Sequence, residues 1–77
     1  MTTNAQTLLS KINEVLNESG RESLSDLAPS DHLKRDLDLD SLDLAVLTVK
    51  IEAVSGVDVF ADGVVETVGE VLAKMQR

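Results

Sequence analysis

The sequence predicts an all-α fold: a small bundle of three main helices plus a short helix III, with a long loop between helices I and II. Three observations support this. Apolar residues recur at steps of three and four in three separate stretches, which is helical spacing. Each stretch opens on a polar residue with a polar partner three positions later, the signature of a capped helix start. The one place where alternation suggests a strand, Leu37 with Leu39, loses its parity at Ser41.

Helix I carries Leu8, Leu9, Ile12, Val15 and Leu16 on one face. Thr3 with Gln6 forms a capping box, and Ser19-Gly20 provides a stop, because glycine tolerates the left-handed turn. The helix is expected over about residues 4 to 18. The stretch RESLSDLAPSDHLKRDLDLD follows, with Pro29, several serines and many charges, and reads as mostly loop. Its Leu24, Leu27, Leu33, Leu37 and Leu39 are expected to dock on the core. A structureless loop of about 20 residues is unusual in a compact domain. It either has a function or holds a short helical turn, for which Ser30 is a candidate cap over His32 to Arg35.

Helix II has Leu44, Leu47, Ile51 and Val54 on its inward face. Asp40 with Asp43 resembles a capping box made of acids, so the helix starts at Asp40 or Ser41 and ends near Ser55-Gly56. A second apolar line, Leu42, Val46, Val49 and Ala53, is offset from the first. It fits either a helix buried on two sides or an apolar docking face. Val57 and Val59 continue the packing, and FADGVV holds at most a short turn of helix III, which Gly63 weakens. Thr67 with Glu70 caps a last helix whose apolar face is Val68, Val71, Leu72 and Met75. Lys74 and Arg77 lie at its C-terminal end, where the helix dipole favours cations.

With 77 residues the chain forms a single domain over residues 1–77. A domain of this size buries only about 60% of the surface its unfolded chain exposes, which leaves little room for a deep catalytic cavity. There is no cysteine, hence no disulfide and no thiolate metal site. Phe60 is the only aromatic residue, so the stacking that holds single-stranded nucleic acid is not provided for. The net charge of −7 repels phosphate backbones and anionic lipids and favours basic protein patches. The N-terminus lacks a basic leader with an apolar run, and no stretch approaches the roughly 20 apolar residues of a membrane helix. The expectation is a soluble, cytoplasmic, monomeric domain that binds no nucleic acid and inserts in no membrane.

Ser41 stands out in DLDLDSLDL, residues 36 to 44, at the point where loop meets helix. The plain reading is a serine that caps the helix start. A calcium loop is disfavoured: Asp36, Asp38 and Asp40 have the spacing of its first ligands, but Ser41 and Leu47 stand where it needs a glycine and a bidentate acid. A Ser-His-Asp hydrolase is disfavoured too, because His32 is the only histidine and there is no nucleophile elbow. No metal ligands and no catalytic residues are assigned. The remaining reading is a modification site: a hydroxyl on an exposed helix tip, beside acids, is a good acceptor for a phosphate-linked group.

LDLDSLDLAVL resembles the prosthetic-group site of acyl carrier proteins, whose core is Asp-Ser-Leu followed by an acid. Asp40, Ser41, Leu42 and Asp43 match it in order. The helix, long loop, serine-led helix, VDVF and final TVGEVL also run in the family's order, over nearly the whole chain. The resemblance implies that Ser41 carries 4′-phosphopantetheine as a phosphodiester, added from coenzyme A by a phosphopantetheinyl transferase with a divalent metal. The arm's thiol would hold acyl groups as thioesters, so the chain would be a carrier and a transferase substrate, not an enzyme. Partners would be acyl-transferring and condensing enzymes with basic docking patches. Carried over by position, partner recognition would fall on Asp40, Leu42, Asp43, Val46, Val49 and Glu52, with Asp40 helping to shape the transferase site.

The chain departs from the family in two ways. Helix II is less acidic than usual, with Lys50 and the second apolar line, and the helix III region contains Gly63 in place of an acidic run. These departures point to a specialised fatty acid, polyketide or modified-lipid pathway. Peptidyl carriers usually place two glycines before the site, and LDLDSLD lacks them, which favours acyl cargo. The competing function is an unmodified helical interaction module, a degenerate carrier fold, motivated by the second apolar line.

Overall fold

The computed structural model describes residues 3–61, 63 and 65–76. Among the described residues there are three helices: α1, Asn4–Glu18; α2, Ser41–Ser55; and α3, Val68–Met75. Among the described residues there is no strand, and no helix is long and apolar enough to cross a membrane.

Each helix starts where its cap dictates. Thr3 and Gln6 exchange both bonds of a capping box, and Asp40 and Asp43 do the same for α2. Thr67 accepts from the Glu70 amide at 3.3 Å. Such a cap is worth about 1 kcal/mol. The end of α1 is equally local. Arg21 N–H donates to the Leu16 carbonyl at 2.8 Å and Gly20 N–H to Asn17 at 3.1 Å. With Gly20 at φ 81, this is a Schellman turn.

Among the described residues, fourteen apolar side chains form the core. Leu8, Ile12, Val15 and Leu16 come from α1, Leu47 and Ile51 from α2, and Val68, Val71 and Met75 from α3. The rest come from the connections: Leu33, Leu37, Leu39, Val59 and Val65. The docking expected of the loop leucines is therefore present, with Leu24 and Leu27 half-buried against the same cluster. Asn13 holds the loop to α1 by a two-way bond, donating to the Leu24 carbonyl at 3.0 Å and accepting its N–H at 2.7 Å. The far end of the loop is stitched to α3. Leu33 N–H donates to Glu66, and Pro29 accepts from Gly69. A side chain at position 69 would put its Cβ 3.1 Å from the Pro29 carbonyl oxygen, so a larger residue there would make the Pro29 backbone give by a few tenths of an ångström.

Two expectations need correction. Ser30 does not cap the turn at 32–36: His32 Nδ1 accepts from the amides of Lys34 and Arg35, and Asp36 accepts from His32 N–H at 2.6 Å. Val54 is half exposed and outside the core. Of the second apolar line of α2, Leu42 is 72% and Val49 69% exposed and Ala53 is exposed, while Val46 packs half-buried against the core. In the helix III segment, Ala61 N–H donates to the Asp58 carbonyl and Gly63 N–H to that of Phe60, each at 3.2 Å. Asp62 and Val64, on which that short helix partly rests, and Arg77 lie outside the described residues.

Candidate functional site

Ser41 is the first residue of α2 and is exposed. Among the described residues its hydroxyl has no protein hydrogen-bond partner, because the capping is done by its neighbours. Asp43 N–H donates to Asp40 Oδ1 at 2.8 Å, and Asp40 N–H donates back to Asp43 Oδ2 at 3.1 Å. The plain reading of Ser41 as the cap therefore gives way. Asp40 caps, and Ser41 is left unengaged at the helix tip.

A basic side chain reinforces the tip from outside the helix. Arg21 Nη2 donates to Asp43 Oδ2 at 2.5 Å, and Nη1 donates to the Asp38 carbonyl. Asp38 has a φ of 58, left-handed and unusual for a residue with a side chain. Burial alone pushes the Asp43 carboxyl up. The Asp40 backbone amide and the Arg21 guanidinium outweigh it and hold the group below its ordinary value.

Beside Ser41 opens a cavity of about 690 Å³, lined by His32, Lys34, Leu44, Phe60 and Val65 among others. Its surface is mostly apolar and runs between α2 and the residues Phe60, Gly63, Val65 and Glu66. His32 serves the loop: its Nδ1 caps the 32–36 turn, and Nε2 lies 3.4 Å from Glu66. The Ser-His pairing of a hydrolase is not formed. Asp36 and Asp40 are committed to backbone amides, and among the described residues no three histidine or acidic side chains group as metal ligands.

Of the residues expected at the partner surface, Leu42, Val49 and Glu52 are exposed and Val46 is half-buried. Asp40 and Asp43 are bound up in the cap. Lys50 is paired with Glu14 at 3.1 Å and Glu18 at 3.3 Å. Sequence reasoning missed Arg21, because nothing local marks a residue that reaches 22 positions along the chain.

A family model described as the phosphopantetheine attachment site matches residues 6–74. No curated protein and no solved structure matches the chain. Matched over nearly its whole length, and folded as a three-helix bundle with a free serine at a capped helix tip, the chain belongs to the phosphopantetheine attachment-site family and is a carrier-type domain.

Proposed function

We propose that Ser41 bears the 4′-phosphopantetheine arm and that the chain shuttles acyl thioesters between partner enzymes, in a specialised fatty acid, polyketide or modified-lipid pathway. The observation that carries this reading is the unengaged Ser41 hydroxyl at the tip of α2. When bound, the arm supplies a thiol for thioester exchange. The residues of this chain do the rest. Ser41 Oγ attacks the coenzyme A phosphate attached to pantetheine. A serine–phosphate bond forms, the adenosine bisphosphate part leaves, and the hydroxyl proton passes to a base of the transferase. Asp40 and Asp43 present the hydroxyl by fixing the helix start. Leu42, Val46, Val49 and Glu52 form the face offered to the transferase and to acyl-transferring and condensing enzymes. A monomer in the cytoplasm suits a shuttle.

The test is intact mass after incubation with coenzyme A, magnesium and a broad-specificity phosphopantetheinyl transferase. One phosphopantetheinyl addition is expected on the wild type and none on Ser41→Ala. Equal addition to both would move the site elsewhere. The second reading, an unmodified interaction module, is favoured by the exposure of Leu42 at 72% and Val49 at 69%. It predicts no mass gain with any transferase together with stable capture of a partner on α2.

A further inference from the structure

We infer that Arg21 is a positioning residue for the modification: it clamps the turn before Ser41 and so sets the hydroxyl for transfer. The inference rests on the reading of Ser41 as the attachment site and adds a residue far from it in sequence.

Three facts converge on Arg21. The Schellman turn that ends α1 places it at a defined point, with its own N–H on the Leu16 carbonyl at 2.8 Å. Its guanidinium is then distributed over three acceptors. Nε donates to Ser19 Oγ at 2.9 Å, Nη1 to the Asp38 carbonyl, and Nη2 to Asp43 Oδ2 at 2.5 Å. The last two acceptors flank Ser41, one on each side. Asp38 lies in the left-handed conformation three residues before it, and Asp43 closes the capping box two residues after it. A planar fork with several donors bridges two such acceptors, and a lysine ammonium does not do so with the same geometry.

The chemistry explains why this matters. Nucleophilic transfer depends on the reacting oxygen being held in a narrow range of positions, and small misplacements cost large factors in rate. The segment from Asp38 to Asp40 has no helix or sheet of its own to fix it. Its constraints are the buried Leu39, the Leu39 N–H on the Leu33 carbonyl at 3.0 Å, the capping box and Arg21. The side chain of Asp43 is only 13% exposed under this clamp. Asp43 Oδ2 is thus already engaged within the chain by Arg21 and the Asp40 amide.

The experiment measures kcat and KM for transfer from coenzyme A to the apo carrier, by intact mass, for wild type, Arg21→Ala, Arg21→Lys, Asp43→Asn and the Arg21→Ala/Asp43→Asn double variant. The expected result is a fall in kcat of about tenfold for Arg21→Ala, with partial recovery in Arg21→Lys. The losses of Arg21→Ala and Asp43→Asn should not add, because both break one clamp. Carboxyl NMR titration of the apo protein should show the Asp43 pKa rising in Arg21→Ala, a readout independent of transfer. A merely destabilised carrier would present less folded substrate, which raises KM and spares kcat. A loss confined to KM, additive losses, or an unchanged Arg21→Ala overturns the inference while the Ser41 assignment stands. If Arg21→Ala does not fold, Arg21→Lys decides alone, and a wild-type kcat there overturns the clamp. A wild type that never gains mass overturns the Ser41 reading and this inference with it.

Discussion

Asp43 works as a strut before it works as a charge. Its amide and carboxylate both bind Asp40, and the same carboxylate takes Arg21. Because these bonds hold its folded pKa below the ordinary value, folding favours the ionised form. Linkage sets the sign. The stabilisation is complete above the unfolded pKa of about 4 and is lost as pH falls through the lower, folded value. Asp43→Asn should therefore lower the urea midpoint at neutral pH, and its deficit relative to wild type should shrink as pH drops below about 4. A deficit that stayed constant down to about pH 2.5 would show that the carboxylate charge contributes nothing. The two halves of this arrangement differ in legibility. Asp40 and Asp43 are three apart, and local chemistry names them. Arg21 meets Asp43 only after a loop has closed, and no spacing rule reaches that far.

At the scale of the element, α2 combines a legible frame with an illegible surface. Its start and stop follow from the acidic capping box and from Gly56 at φ 75. Helical period identifies Leu47 and Ile51 as inward, and both are fully buried. The same period says nothing about where the neighbours end, so Val54 and the Leu42–Val49 line needed coordinates. The surface that results is unusual for a helix in an acidic chain. Asp43 is paired with Arg21, Lys50 with Glu14 and Glu18, and large apolar side chains face outward. Removing those apolar groups should weaken docking without weakening the fold. The Leu42→Ala/Val49→Ala pair should change unfolding free energy by less than about 1 kcal/mol, since the atoms removed are already in water. The same pair should raise the KM of transferase-catalysed modification. Leu47→Ala, by contrast, should cost about 2–5 kcal/mol through the cavity it leaves. Urea denaturation beside transfer kinetics separates the two effects. If the double variant kept wild-type KM, the exposed line would not be the docking face.

Across the whole molecule, the radius of gyration is 11.2 Å, close to the roughly 11.5 Å expected for a fully packed chain of this length. The long loop is therefore part of the body, which agrees with its buried leucines. Charge acts at the same scale. The chain carries 14 acids and 7 bases, and its longest extent is 32 Å, so much of the acid–acid repulsion acts over distances longer than a contact. At about 0.15 M salt the screening length is about 8 Å. Salt thus removes the long-range repulsion first and erodes close pairs such as Arg21–Asp43 less. Repulsion should dominate, because the excess is seven acids while exposed pairs return at most about 1 kcal/mol each. The melting temperature should therefore rise by about 4 °C or more between about 10 mM and 200 mM sodium chloride, the shift that about 1 kcal/mol produces in a domain this small. On the proposed attachment to Ser41, the arm would add a phosphodiester beside Asp38, Asp40 and Asp43, so the modified chain should gain more from salt than the apo form. Parallel melts of both forms check this. A melting temperature that fell with salt would mean that the ion pairs around α2 outweigh the net charge.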